Sequence, residues 1–235
     1  MSIEVNSLTK IYGSQKAVDG ISFSLKPGEI VGFLGPNGAG KSTTMKMLTG
    51  YLHPSSGTAK IGTYDVGSQP MEARRTIGYL PEHNPLYTDM YVREFLLFSG
   101  KMYGMSGPSL QARVEEMIAL CGLELEKKKK IDQLSKGYRQ RVGLAQSFLH
   151  DPSVLILDEP TTGLDPNQIL EIRELIRKAG HNKTVLFSTH IMQEVEALCD
   201  RVIIINRGKV VSDGPLDVLR RQGDSLEEIF RKLTN

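Results

Sequence analysis

The sequence predicts an α/β protein: a mostly parallel core sheet flanked by helices, with an N-terminal antiparallel β lobe and a helical insertion. Three observations carry this expectation. Ile30-Val31-Gly32-Phe33-Leu34 and Val154-Leu155-Ile156-Leu157 are short apolar runs, the composition of strands buried on both faces. Around Ile21, Phe23 and Leu25 the apolar residues alternate with Ser22, Ser24 and Lys26, the pattern of a strand with one buried face. Beyond Tyr91 the apolar period becomes helical.

Taken in order, residues 3–34 form the β-rich lobe and the first buried strand. Leu8-Thr9-Lys10-Ile11-Tyr12 runs into Gly13, and Lys26-Pro27-Gly28-Glu29 is a turn with Pro and Gly in favourable places. Tyr12 reads equally as a strand-end aromatic packed on the core or as a ring free to stack on adenine. The buried strand leads into Gly35-Pro36-Asn37-Gly38-Ala39-Gly40-Lys41-Ser42-Thr43, with the G-x-x-x-x-G-K-S spacing of the phosphate-binding loop of nucleoside triphosphatases. Gly35, Gly38 and Gly40 allow backbone conformations that a Cβ forbids. Successive N–H groups then point at phosphate oxygens, and the following helix offers its positive end. Lys41 reaches the β- and γ-phosphates, and the Ser42 hydroxyl is a hard oxygen ligand for Mg²⁺. Gly50 stops that helix.

Residues 58–62 and 77–80 read as further strands. The second leads into Pro81-Glu82-His83-Asn84-Pro85-Leu86-Tyr87, an irregular loop because two prolines forbid helix or central strand. Val92, Phe95, Leu96, Met102 and Tyr103 then recur at helical spacing. So do Leu110, Val114, Met117, Ile118 and Cys121 after Gly107-Pro108, with Gly122 as a stop. With the next helix they make a helical insertion of about residues 91–147 inside one domain, 1–235. Lys127-Lys128-Lys129-Lys130 reads as a solvated surface. Ser135 is a good N-cap, and Tyr138, Val142, Ala145 and Leu149 line one helical face behind it. That sets the Ser135 hydroxyl and the Gly137 backbone at a positive helix end, a second anion site.

The buried run from Val154 ends in Asp158 and Glu159. Open α/β sheets place ligands at the carboxyl ends of their strands, so Asp158 is placed to hold Mg²⁺ and Glu159 to polarise an attacking water. Asp165 caps a helix with Pro166 at its first position and Ile169, Ile172 and Ile176 on its apolar face. Residues 184–188 form the next buried strand, and His190 follows it where a γ-phosphate contact would lie. Strands at 201–206 and 209–212 and a helix carrying Leu226, Ile229, Phe230 and Leu233 complete the pattern.

A chain of 235 residues with 40% apolar and 24% charged content suits one large domain. Its net charge of +2 argues against a large nucleic-acid footprint. Cys121 and Cys199 lie in apolar helical patterns and read as buried free thiols, which fits a reducing compartment. No apolar run approaches the length of a membrane span, and Met1-Ser2-Ile3-Glu4 begins no signal peptide. The chain is therefore expected to be cytoplasmic and to reach a membrane only through a partner.

With these motifs in this order, nearly the whole chain resembles the nucleotide-binding subunit of ABC transporters. The resemblance implies ATP and Mg²⁺ as cofactors. It implies Tyr12 stacking on adenine, Ser42, Glu82 and Asp158 as Mg²⁺ ligands, Glu159 as catalytic carboxylate and His190 as switch histidine. It also implies two subunits, identical or different, sandwiching two ATP molecules, with Ser135 and Gly137 of one facing the γ-phosphate on the other. The partner would be a separate transmembrane permease, holding this chain on the inner face of the cell membrane; no nucleic-acid partner is expected. Two residues depart from the family pattern: Glu82 stands for the usual loop glutamine, and the signature reads Leu134-Ser135-Lys136-Gly137-Tyr138 rather than Leu-Ser-Gly-Gly-Gln. Both variants look most like the ABC-2-type exporters, and residues 78–87 are similar to the gliding-motility-associated ATP-binding subunits. The alternative is a soluble ABC-type ATPase acting on a nucleic-acid or ribosomal partner. The DNA-repair type would carry a long coiled coil, and the ribosomal type usually two cassettes in one chain.

Overall fold

In the computed structural model, which describes residues 1–220 and 225–234, the chain begins with two long antiparallel strands, β1 (Ile3–Tyr12) and β2 (Gln15–Leu25). β3 (Ile30–Leu34) enters the core, and α1 (Lys41–Leu48) leaves it. β4 (Ser56–Ile61) and β5 (Tyr64–Asp65) return to the lobe and complete an antiparallel sheet of order β2-β1-β4-β5. After α2 (Pro70–Arg75), β6 (Ile77–Leu80) re-enters the core. Three helices follow: α3 (Val92–Met102), α4 (Gly107–Leu120) and α5 (Lys136–Phe148). The chain then alternates β7 (Val154–Asp158), α6 (Pro166–Ala179), β8 (Thr184–Thr189), α7 (Met192–Leu198) and β9 (Arg201–Asn206). β10 (Lys209–Pro215), α8 (Leu216–Arg220) and α9 (Leu226–Thr234) end it.

The second sheet has the order β10-β9-β3-β8-β7-β6, parallel throughout except for β10 at one edge. β7 and β8 are buried at every position; the apolar run of β7 predicts this, whereas β8 also buries the polar Thr184, Ser188 and Thr189. One apolar cluster joins α3, α4 and α5 to one face of this sheet; the other joins α1 and the antiparallel lobe to the opposite face. Both cysteines are free and buried, and burial pushes the Cys121 thiol up to about 12.

Several expectations need correction. Met102 and Tyr103 do not join the apolar face of α3; Met102 is 73% exposed, because the helix ends there. Tyr103 leaves the helix to stack on His150, ring centroids 3.7 Å apart. Tyr138 also lies off the buried face, since the first turn of α5 projects past the core that covers Val142, Ala145 and Leu149. α2 and α7 escape the periodicity argument because six and seven residues are too few to display a helical period. β10 runs to Pro215, three residues beyond the expected end, and an edge strand tolerates that proline.

α5 packs against β6 at Gly78 because that residue has no side chain. A Cβ there would lie 2.1 Å from the Ser147 carbonyl oxygen and 2.8 Å from Pro152 Cγ. The neighbours include backbone, which cannot swing aside. Gly78→Ala is therefore expected to lower unfolding free energy by about 1–3 kcal/mol, measured by urea denaturation. An unchanged midpoint would show that α5 can shift without cost.

Candidate nucleotide site

Four adjacent parallel strands deliver the candidate residues to one edge of the sheet. The phosphate loop follows β3, His190 follows β8, Asp158 and Glu159 end β7, and Glu82 follows β6. The parallel arrangement puts all these carboxyl ends on the same side. Gly40 takes φ 107° at the N-cap of α1, and no side chain caps that end. A Cβ on Gly40 would lie 2.5 Å from the Ala17 carbonyl oxygen, so glycine is needed both for the turn and for the approach of β2. Asn37 and Gly38 are exposed at the tip of the loop, and Gly35 and Ala39 are buried at its base.

The Lys41 side chain folds back over this loop. Its Nζ donates to Gly35 O at 2.7 Å and Pro36 O at 3.2 Å, and lies 3.2 Å from Glu159 Oε1. Both members of the ion pair are 6% exposed. The other Glu159 oxygen accepts from Thr162 Oγ1 at 3.0 Å and meets His190 Nδ1 at 2.9 Å. Glu159 itself sits at φ 49°, in the left-handed region that a non-glycine residue enters only at some cost. Its N–H donates to Ser188 Oγ at 3.0 Å and Ser188 O at 3.2 Å, which holds it there.

Ser42 Oγ lies 3.2 Å from Asp158 Oδ1 and 3.4 Å from Glu82 Oε2. Asp158 Oδ1 also accepts from Ser188 Oγ at 2.5 Å, whereas the buried Oδ2 has no hydrogen-bond partner. Burial pushes the Asp158 carboxyl above its ordinary range; bonds from Ser188 and Ser42 pull it down, and Glu82 and Glu159 push it up again. A buried carboxylate oxygen with no donor, beside a second carboxylate and a hydroxyl, is an all-oxygen set that fits a hard divalent cation such as Mg²⁺.

Other candidates stand further out. Tyr12 ends β1 with its ring half exposed and Lys10 Nζ 5.4 Å from the ring centroid. It pairs with Gln15, two residues before the Ala17 that touches Gly40. Ser135 caps α5 by accepting from Tyr138 N at 3.4 Å, and Gly137 lies against the Gln168 side chain of α6. These contacts leave Ser135 and Gly137 outside the group around Lys41. Lys136 lies over Gly163, and it shares the wall of a 580 Å³ cavity with Glu82, Arg139, Glu159 and Thr162. Sequence reasoning missed Ser188 and gave Thr162 no role. Ser188 looks like any residue of a buried strand until β7 and β8 are aligned, when the Asp158↔Ser188 register places it under the carboxylates.

The fold and this strand-end group define a phosphate-loop nucleoside triphosphatase. Residues 18–162 match the family described as ABC transporter, and the chain belongs to the ATP-binding subunits of that family. It is 42% identical over 213 residues to Nod factor export ATP-binding protein I of Burkholderia orbicola (strain AU 1054), covering 90% of this chain and 70% of that protein. It is 41% identical over 222 residues to bacitracin transport ATP-binding protein BcrA of Bacillus licheniformis, covering 94% and 72%. Among solved structures, a dimeric ATP-binding cassette in a post-hydrolysis state, bound to ADP and Pi, superposes with a TM-score of 0.84 at 26% identity, over 91% of this chain and 98% of that one. The chain is an ABC-type ATPase.

Ser188→Ala removes the donor to Asp158 and an acceptor for the Glu159 N–H in one step. Leaving such buried groups short of a partner typically costs about 1–3 kcal/mol. Urea unfolding is expected to register a loss in that range, and an unaltered midpoint would mean that the two bonds contribute nothing net.

Proposed function

We propose that this chain is the ATP-binding and ATP-hydrolysing subunit that powers a separate membrane permease, in the direction of export. The observation that carries the proposal is the Glu159 carboxylate held between the Lys41 ammonium, at 3.2 Å, and the His190 ring, at 2.9 Å, beside the phosphate loop. The names of the Nod factor export and bacitracin transport relatives support a transport role.

The chemistry follows from what a triphosphate would displace. Its β- and γ-oxygens are stronger acceptors for an ammonium than the neutral carbonyls of Gly35 and Pro36. Lys41 then turns from those carbonyls and from Glu159 toward the phosphates, while the residue 35–43 backbone and the N-terminus of α1 take the remaining charge. Relieved of its ion pair, Glu159 is free to accept a proton from the attacking water. His190 steadies that carboxylate through Nδ1 and leaves Nε2 to face the γ-phosphate. Tyr12 offers its exposed ring to adenine. Ser42, Glu82 and Asp158 would hold Mg²⁺, which when bound neutralises phosphate charge.

Ser135 and Gly137, apart from the Lys41 group within the chain, suit a site completed by a second ATPase subunit, identical or different. Their helix end would face the partner's γ-phosphate. The permease is assigned to the loop and helix start around Leu86, Tyr87, Met90 and Tyr91. Tyr87 is 58% exposed while its ring edge rests on Phe95 and Phe98, so it both covers the insertion's core and presents an aromatic surface. No helix among the described residues is long and apolar enough to cross a membrane. Attachment to the inner face of the cell membrane would thus run through the permease.

Glu159→Gln is expected to retain ATP binding, lose turnover by about 10²–10⁴-fold and accumulate as an ATP-bound dimer by light scattering. Hydrolysis at the wild-type rate would overturn the role given to Glu159. Lys41→Ala should remove tight ATP binding, read by displacement of a fluorescent nucleotide; near-normal affinity would sink the phosphate-loop assignment. Tyr87→Ser is expected to preserve basal hydrolysis and abolish its stimulation by co-purified permease. Retained stimulation would move the contact elsewhere.

A further inference from the structure

Glu194 lies in the first turn of α7 and is 1% exposed. A carboxylate this deep is costly unless every oxygen is satisfied. Here the partners are two neutral hydroxyls: Oε1 accepts from Thr161 Oγ1, and Oε2 accepts from Thr189 Oγ1 at 2.6 Å. Both threonines are themselves buried. Neither belongs to α7. Thr161 stands two residues after Glu159, and Thr189 immediately precedes His190.

The connection is tighter than two isolated bonds. Thr189 Oγ1 also accepts from Ile191 N at 3.0 Å, so the residues on both sides of His190 are tied to the same hydroxyl. Glu159 occupies a left-handed conformation that persists only where the surroundings hold it. Ser188 holds its N–H from one side. Glu194 holds the segment that follows it from the other, through Thr161.

We propose that Glu194 is a positioning residue that fixes the Glu159–His190 pair by tethering the two chain segments that carry it. Its carboxylate bonds to Thr161 and Thr189 and acts through them. The inference rests on the hydrolytic roles proposed for Glu159 and His190. Its carboxylate suits the task because two acceptor oxygens can each take one hydroxyl, whereas a single hydroxyl or carbonyl group would have to choose. Displacement of a reacting group by about 1 Å can cost about 10²-fold in rate, and loss of the tether is expected to act at that scale.

The test compares Glu194→Leu, Glu194→Gln, Thr161→Val and Thr189→Val, with Glu159→Gln as reference. Glu194→Leu should lower kcat by about 10²-fold while ATP affinity, measured by fluorescent-nucleotide displacement, stays within about twofold. Glu194→Gln should recover most of the rate, because its carbonyl oxygen can accept from one threonine and its amide can donate to the other. The valine variants keep side-chain volume; Thr161→Val removes one bond, and Thr189→Val removes the bond to Glu194 and the one from Ile191 N, so they remain informative if the leucine variant does not fold. In each impaired variant the His190 imidazole resonances should move, a readout that a loss of global stability would not shift in the folded protein. Wild-type kcat in Glu194→Leu or in both valine variants would overturn the inference, as would equal losses in kcat and ATP affinity. If Glu159→Gln itself still turned over, the functional reading would fail instead.

Discussion

A lysine and a glutamate, both almost out of reach of water, face each other at 3.2 Å above the phosphate loop. Burying two charges is expensive, and their attraction offsets the cost only when further hydrogen bonds satisfy both. Here Lys41 also donates to two loop carbonyls, and Glu159 is met by Thr162 and His190. The rest of the site can be understood from this one pair. It keeps the residue 35–40 loop folded around its own cation and occupies the proposed base with an ammonium. A ligand with stronger acceptor oxygens would draw the ammonium away and leave the carboxylate with Thr162 and His190. On the roles proposed for Lys41 and Glu159, binding and activation of the base would be one rearrangement of one side chain.

The pair can form only because of how the sheet is ordered. Lys41 follows β3 and Glu159 follows β7, with β8 between them, so the side chains converge across the top of an intervening strand. That strand supplies Ser188, which supports Asp158 and Glu159, and His190, which completes the group. The antiparallel lobe is locked to the same frame at its other end. Arg201 on β9 makes two bonds to Asp213 at 2.8 Å, one to Ser24 O at 2.9 Å and a contact to Glu29 at 3.3 Å. This fork joins β2, the turn before β3 and the outer strands.

The parallel core was legible in the sequence because β3 and β7 are short, dense apolar runs, and the phosphate loop because its glycines and lysine lie close together along the chain. Ser188 and Glu194 had no such signal. Their neighbours are some 30 residues away for the Asp158–Ser188 and Thr161–Glu194 bonds, and only strand register and helix packing bring them together. Met102, Tyr103 and Tyr138 show the opposite failure. Their spacing fits a helical face, but spacing does not say where along the helix the core stops covering it. The expectation for the Ser42, Glu82 and Asp158 group rested partly on resemblance, and the strand ends do bring those three oxygens together.

The two departures from the family pattern meet in a way that motif order alone could not reveal. Glu82 and Lys136 line one cavity within a single chain, and Glu159 lines it too. Around the phosphate loop, Glu159 pairs with the buried Lys41 ammonium, while Asp158 and Glu82 converge on the Ser42 hydroxyl. Three carboxylates against one ammonium leave two negative charges, which one divalent cation would balance. A glutamine in place of Glu82 would leave one. Burial first, and then the neighbouring Glu82 and Glu159 charges, push the Asp158 carboxyl upward against the bonds from Ser188 and Ser42. Glu82 therefore adds negative charge where Mg²⁺ is proposed to bind. Lys136 is exposed at the wall of that cavity, with its ammonium over Gly163. In this chain the glutamate and the lysine therefore contribute opposite charges to one cavity wall.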